Sequence, residues 1–340
     1  MVFISYKSEE IELANDVKEN LVNNGINIWM APDSIPGGSS YPKEIHRAIK
    51  SCDILILVLT DLSQKSEWIQ SEIEIARMNN KTIIPIAFSD VSYTDEFEML
   101  LILYQRLDIN KNNAKESYMN LVKRIHQIEA DNSRIDKIAS SSNIVSESWG
   151  PRDRKTYKWD QWSDVVSFNS ITDNPTMGDE RNFVRIKKVD SEDKYKGELS
   201  LESNTEYEVL VYYHNDAREG LNVDGSGISR NTSLRIRFPS YVNSGHIGVV
   251  VGFIKASNAV PEEIWDTCLL KANDNYYINF VPNSAKIFNH GTTNSIQLSG
   301  NALLNDGIFL GHYDNMWGMI PAGVSYSGYI TFRIKATTAV

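Results

Sequence analysis

The chain has 340 residues, of which 41% are hydrophobic and 23% charged, as in an ordinary globular protein and unlike a disordered or collagen-like one. Lys and Arg total 34 against 44 Asp and Glu, and the net charge of −10 argues against sequence-independent binding to nucleic acid or to an anionic membrane. At about 100 to 200 residues per domain, this length predicts two domains, each large enough to bury its own core.

The first 130 residues alternate short apolar runs with amphipathic segments, which predicts parallel strands joined by crossover helices. Strands are predicted at residues 2–6, 26–30, 53–60, 82–88 and 103–108. Helices are predicted at residues 11–23, 42–50, 66–79 and 114–129. Five short strands and their helices together predict a doubly wound α/β domain over residues 1–131.

The pattern changes after residue 131. Residues 132–150 are polar and rich in Ser, without sustained periodicity, which predicts a linker. Beyond it, alternating segments are separated by clusters of Gly, Asn, Asp and Pro. Strands are predicted there at residues 206–213, 233–238, 247–254 and 326–334. This pattern predicts an all-β sandwich over residues 151–340, in which one face of each strand is buried.

Cysteine and histidine spacing bears on redox environment and metal binding. Cys52 and Cys268 lie far apart and outside any CxxC or Cys/His cluster, so neither a disulfide framework nor a structural zinc site is predicted. The six histidines lack an HxxxH or paired Cys/His spacing, and we predict no metal site. The longest apolar run, residues 54–59, is too short to span a bilayer, and the N-terminus lacks the pattern of a signal peptide. We therefore expect a cytoplasmic protein.

Four segments of the first domain carry the residues that could perform chemistry. They are, in order, VFISYKS at residues 2–8, IWMAPDSIPGGSSY at 28–41, SCDILILVL at 51–59 and SEWIQSE at 66–72. Because ligands bind at the carboxyl ends of the strands in a doubly wound sheet, we expect the loops of these segments to converge on one edge. Trp68 and Glu72 are four residues apart on a predicted helix, so a ring and a carboxylate share one face. Such a pair suits a planar, cationic ligand.

The FISY strand, the long Trp-to-Tyr loop with its Pro-Gly-Gly, and the SxWxxxE helix resemble a Toll/interleukin-1 receptor (TIR) domain of the bacterial type. The resemblance implies a flavodoxin-like fold with a five-stranded parallel sheet. It also implies either scaffold assembly through TIR self-association or cleavage of NAD+ at its nicotinamide-ribose bond. Glu72, the last residue of SxWxxxE, is then the catalytic glutamate. The substrate-binding residues implied by the resemblance are Lys7, Ser8, Pro36, Ser66 and Trp68.

The chemistry of NAD+ cleavage explains why one carboxylate suffices. Nicotinamide is already a cationic leaving group and needs no general acid, while its departure develops positive charge on the ribose that Glu72 would stabilise. Water as acceptor gives ADP-ribose, and a nucleophile of the same molecule gives a cyclic ADP-ribose. The residues do not choose between these products. NAD+ is the expected substrate, and no cofactor is expected.

The second domain resembles a β-sandwich module seen in bacterial proteins of unassigned function, on segments such as GDERNFVR at residues 178–185 and YYHND at 212–216. Joined to a TIR enzyme, such a module suggests a sensor that answers a phage-derived trigger and brings TIR domains together in antiphage defence. Two alternatives remain open. One is a TIR adaptor or virulence protein without catalysis, and the other is a synthase of a cyclic ADP-ribose messenger.

Overall fold

In the computed structural model, which describes residues 1–37, 40–88, 91–101, 104–140 and 148–339, the chain divides into two units. These are Met1–Arg134 and Ile135–Val340. Cys52 and Cys268 are both free and buried. Among the described residues, every helix is too short or too polar to cross a membrane.

Five parallel strands form the sheet of the first unit. They are β1 (Val2–Ser5), β2 (Ile28–Trp29), β3 (Ile54–Val58), β4 (Thr82–Ala87) and β5 (Leu107–Asp108). Their order across the sheet is β2-β1-β3-β4-β5, with every neighbouring pair parallel. All five residues of β3 are buried, as its continuous apolar run predicts for a central strand. The predicted flavodoxin-like fold is confirmed.

Five helices cover the two faces of this sheet. They are α1 (Ile11–Val22), α2 (Tyr41–Ser51), α3 (Glu67–Met78), α4 (Asp95–Leu101) and α5 (Ala114–Ser140). Residues of α1 and α5 pack with Val2 and Ile4 on one face. Residues of α2, α3 and α4 pack with Phe3 on the other. Because successive strand residues point to opposite faces, the short run of β1 contributes to both cores.

Two helices differ from the predictions. Helix α4 was not predicted, because seven residues are too few to show a helical period; it is held by Phe97, which is fully buried and whose amide donates to the Thr94 hydroxyl. Helix α5 continues to Ser140, well into the predicted linker. That stretch contains neither Gly nor Pro, and Ile135 and Ile138 continue the helical spacing. Residues 141–147 of the predicted linker lie outside the described residues.

The strands of the second unit form two sheets that are antiparallel apart from one short edge pairing. The strands are β6 (Trp149–Gly150), β7 (Val184–Lys188), β8 (Glu198–Ser200), β9 (Thr205–Tyr213), β10 (Ser233–Arg237), β11 (Tyr241–Val242), β12 (Ile247–Lys255), β13 (Glu263–Lys271), β14 (Tyr276–Phe280), β15 (Lys286–Asn289), β16 (Ile308–Phe309) and β17 (Gly328–Thr338). One sheet has the order β16-β10-β12-β13-β6, with β8 parallel to β13. The other has the order β11-β14-β17-β9-β7, with β15 added on β17.

Gly252 shows how closely the two sheets approach. A Cβ at this position of β12 would lie 2.8 Å from Cγ2 of Val184 in β7 and 3.5 Å from Cγ1 of Val211 in β9. Since real Cβ atoms do not approach other atoms so closely, only glycine fits without rearrangement. The sheets therefore pack face to face, as in a sandwich. A short helix, α6 (Gly300–Leu304), precedes β16.

Candidate active site

The carboxylate of Glu72 is held between α3 and the end of β1. Ile69, Ile73 and Ala76 face the core from α3, and Glu72 lies on the same side of the helix, with only 6% of its surface exposed. Ser5 is the last residue of β1, and its Oγ donates a 2.6 Å hydrogen bond to Oε2 of Glu72. The carboxyl end of β1 therefore positions the acid, as ligand-binding edges of α/β sheets do.

Burial dominates the electrostatics of Glu72. It raises the pKa of Glu72 from 4.5 to about 7, against hydrogen bonds from the side chains of Ser5 and Trp68 that lower it. Within the part of the chain that the structure describes, no positive group contributes to the shift. At neutral pH this carboxyl is thus divided between its protonated and ionised forms, which suits a group that stabilises positive charge or accepts a proton.

Trp68 is a half-exposed aromatic residue on the same helix as the buried Glu72. Its side chain lowers the pKa of Glu72, yet 48% of the tryptophan is exposed. A large aromatic ring left half open beside a carboxylate offers a stacking surface for a planar ligand. The two residues therefore come together on one face of α3, as their spacing predicts.

Two tyrosines that the sequence analysis did not identify lie near the acid. The Tyr6 hydroxyl donates a 2.6 Å hydrogen bond to the Ala31 carbonyl, which ties the loop after β1 to the loop after β2. Burial and then the neighbouring Tyr41, Asp33 and Glu72 raise the pKa of Tyr6. Burial and Glu72 also raise the pKa of Tyr41, which starts α2. The loops predicted to converge thus meet around Glu72.

Three other predicted substrate residues lie on the surrounding loops. The Nζ of Lys7 is 3.9 Å from a carboxylate oxygen of Glu9, and the Ser8 hydroxyl donates to the same carboxylate at 2.8 Å. Pro36 is exposed on the loop before α2. Gly38 and Ser39 of the same loop lie outside the described residues.

Ser66 has a structural contact of its own. It is the N-cap of α3, and its Oγ accepts a 3.4 Å hydrogen bond from the amide of Ile69. The cap fixes the first turn of the helix that carries Trp68 and Glu72. Its predicted contact with substrate stays a prediction.

Ser66→Ala is expected to destabilise α3 by about 1 kcal/mol, because the cap acceptor is lost. Ser66→Asp retains an acceptor and should restore most of that stability. Hydrogen exchange of the α3 amides measures both effects. Equal protection in wild type and Ser66→Ala would contradict the capping role. A KM for NAD+ that is raised in Ser66→Ala and is not restored in Ser66→Asp would instead indicate direct contact with the substrate.

A comparison with protein families identifies the domain that carries this site. The family model described as TIR domain matches residues 2–122. Residues 2–122 form a TIR domain. The match covers the five-stranded sheet and the start of α5, and it leaves the second unit outside. Comparison with curated proteins gave no match.

Three solved structures are each similar to somewhat more than a third of the chain. The TIR domain of the Toll-related receptor TRR-2 of Hydra magnipapillata is 19% identical, with 38% of this chain and 97% of that chain covered and a TM-score of 0.32. The TIR domains of the activated Roq1 resistosome are 15% identical, with 36% and 98% covered and a TM-score of 0.32. The CMP N-glycosidase BcmB of Clostridium botulinum is 24% identical, with 35% and 96% covered and a TM-score of 0.27.

Proposed function

We propose that the TIR domain is an NAD+ nucleosidase with Glu72 as its catalytic carboxylate. The observation that carries the proposal is a buried carboxylate with a pKa of about 7, hydrogen bonded to Ser5 and one helical turn from the half-exposed Trp68. A cationic nicotinamide ring matches both halves of this pair, because an aromatic face and an unbalanced carboxylate each attract it. Lys7, Ser8, Pro36 and Ser66 would contact the rest of the dinucleotide.

The proposed reaction breaks the bond between the ribose C1′ and the nicotinamide nitrogen. The electron pair leaves with nicotinamide, which becomes neutral, and C1′ acquires oxocarbenium character. The Glu72 carboxylate stabilises this charge. Water then adds to C1′ and gives up a proton, which a carboxylate with a pKa near 7 accepts efficiently. The products are nicotinamide and ADP-ribose, or a cyclic ADP-ribose where a nucleophile of the same molecule replaces water.

We further propose that activity requires self-association of the TIR domains and that the second unit controls it. This proposal is supported by the division of the chain into a TIR unit and a separate all-β unit. In a bacterial host, a phage-derived trigger at the second unit would start NAD+ depletion and arrest the infected cell.

Nicotinamide release from NAD+ by the full chain tests the proposed activity. The chain carries a C-terminal biotin and is assayed with and without streptavidin, which clusters it. We expect NAD+ loss that increases on clustering and falls by at least about 100-fold in Glu72→Gln. Glu67→Gln is the matched control, because Glu67 is exposed on the same helix and should retain activity.

Each outcome is decisive. If the wild type consumes no NAD+ even when clustered, the nucleosidase proposal fails and a scaffold role is favoured. If Glu72→Gln retains activity, Glu72 is not the catalytic carboxylate. Chromatography of the products separates ADP-ribose from cyclic ADP-ribose, and an excess of the cyclic product would favour a messenger synthase.

A further inference from the structure

Three ionisable side chains meet in the interior of the second unit. Glu180 lies just before β7, and His214 and Asp216 lie just after β9. Because β7 and β9 are antiparallel neighbours, the start of β7 and the end of β9 bring the three residues together. All three residues have 0% of their surface exposed. One ligand atom from each lies within 4.8 Å of the other two. Buried charges of this kind require compensation.

The imidazole cannot satisfy both acids. Nδ1 of His214 lies 3.1 Å from Oε1 of Glu180 and 3.1 Å from Oδ1 of Asp216. Nδ1 carries at most one hydrogen, and the geometry directs it to Glu180. Oδ1 of Asp216 therefore has no hydrogen-bond partner although it is completely buried and points at the cluster. An orphaned buried carboxylate oxygen is costly and calls for a ligand.

Outer contacts hold the acids in this arrangement. The backbone amide of Ser170 donates to Oδ2 of Asp216, which leaves Oδ1 directed at His214. The side-chain amide of Asn174 donates to Oε1 of Glu180. Asn174 is itself fixed, because its Oδ1 accepts from the amides of Thr176 and Met177. Such supporting hydrogen bonds are typical of the shell around metal ligands.

We propose that Glu180, His214 and Asp216 bind one divalent transition-metal ion of the Zn2+ or Mn2+ type. Nitrogen-oxygen separations of 3.1 Å fit two donors that share an ion about 2.1 Å from each. One imidazole with two carboxylates suits Zn2+ or Mn2+, whereas Ca2+ and Mg2+ take oxygen ligands. The ion would replace the Nδ1 proton and give Asp216 Oδ1 its missing partner.

Two charged groups border the site and enter its charge balance. Arg154 is 7% exposed and interacts electrostatically with both Asp216 and Asp266. Asp266 is fully buried and accepts a 2.6 Å hydrogen bond from the amide of Val184. With the ion bound, the carboxylates of Glu180 and Asp216 offset its two charges, while burial raises the pKa of Asp266 to about 8. Without the ion, burial lowers the pKa of His214 but the facing carboxylates raise it to about 10, so an imidazolium is the competing state.

The complete burial of the three ligands assigns the ion a structural role. It would enter as the unit folds and would stabilise the folded state by binding it selectively. The site lies in the second unit and is independent of the proposed NAD+ cleavage. Glu180 and His214 are 34 positions apart, a separation that matches no linear metal motif. The prediction of no metal site considered only His and Cys spacings, which do not reveal two carboxylate ligands around one histidine.

Metal analysis of the full, untagged chain tests the proposal. We expect close to one Zn2+ or Mn2+ per chain after purification without chelator. After unfolding in guanidinium with EDTA, refolding with Zn2+ alone or Mn2+ alone should raise the thermal midpoint of the second unit by roughly 5 to 10 °C over refolding in EDTA.

Two buried aspartates provide matched variants. Asp216→Asn keeps the side-chain shape and an acceptor for Ser170. It should lower the amount of metal bound per chain at least about tenfold. Near-ultraviolet circular dichroism of the same sample should show an intact fold. Asp266→Asn changes a buried acid outside the three ligands and should retain the ion. The proposal is overturned if the refolded chain has the same midpoint with each ion and with EDTA, or if folded Asp216→Asn retains a full ion. Either result would leave a protonated His214 as the partner of the two acids.

Discussion

Glu72→Gln is expected to stabilise the TIR domain by about 3 kcal/mol at pH 8 and above while removing NAD+ cleavage. Burial holds the pKa of Glu72 at about 7, against 4.5 for a solvated glutamate. Each pH unit of difference corresponds to 1.36 kcal/mol, so the ionised side chain opposes folding by about that amount. Glutamine fills the same space and has no charge to desolvate. The acid would thus be retained for function at a cost in stability.

The pH dependence has a definite sign. Below pH 4.5 the acid is protonated in both folded and unfolded states and contributes no difference. Between pH 4.5 and about 7 the unfolded chain ionises first, so the stability of the wild type falls relative to Glu72→Gln as pH rises. Above about 7 both states are ionised and the difference is constant. The increase in the free energy of unfolding caused by Glu72→Gln should therefore be absent at pH 4 and complete at pH 8.

Hydrogen exchange of the β3 amides measures this effect within the full chain. Residues 54–58 are buried at the centre of the TIR sheet, so their protection reports unfolding of that domain alone. Glu67→Gln again serves as the control, since Glu67 is exposed and should show no comparable gain. An equal effect of Glu72→Gln at acidic and alkaline pH would show that ionisation of Glu72 is not the source.

The fold of the TIR domain was predictable from local patterns. The run at residues 54–58 is continuously apolar, and the helices on either side of it repeat their apolar residues every three or four positions. Both patterns can be recognised in the sequence without knowledge of tertiary contacts. The unpredicted α4 depends instead on the burial of two side chains, Phe97 and Leu101. The extension of α5 to Ser140 was missed because a polar, Ser-rich composition is shared by linkers and exposed helix ends.

The candidate site was predictable only where its residues are close in the chain. Trp68 and Glu72 share one helix, and their spacing of four residues places them together. Ser5 contacts Glu72 across 67 positions, a pairing that only the folded sheet creates. In the second unit, the contact between Glu180 and His214 could not be predicted for the same reason, because the two residues are 34 positions apart in the chain. Tyr6 and Tyr41 stood inside the recognised segments, but nothing in their spacing distinguishes a site residue from a packing residue.

Ser5→Ala is expected to shift the pH dependence of NAD+ cleavage toward alkaline pH. The Ser5 hydroxyl donates a 2.6 Å hydrogen bond to the Glu72 carboxylate and thereby lowers its pKa within a site where burial raises it. Loss of a hydrogen bond to a buried charge costs about 1.5 to 3 kcal/mol, which corresponds to about one to two pH units. In the wild type, kcat/KM should rise with pH through about 7, as Glu72 ionises in the free protein.

The pH profile separates positioning from simple damage to the fold. Ser5→Ala should lose about 5- to 50-fold in kcat/KM at pH 7, yet recover about half or more of the wild-type value near pH 9, because the carboxylate is then largely ionised again. A direct 13C titration of the Glu72 carboxyl should show the same shift. A uniform loss of activity at every pH, with the titration of Glu72 unchanged, would mean that Ser5 only packs against the acid. A parallel shift in both measurements would make the end of β1 the element that sets the ionisation of the proposed catalytic residue.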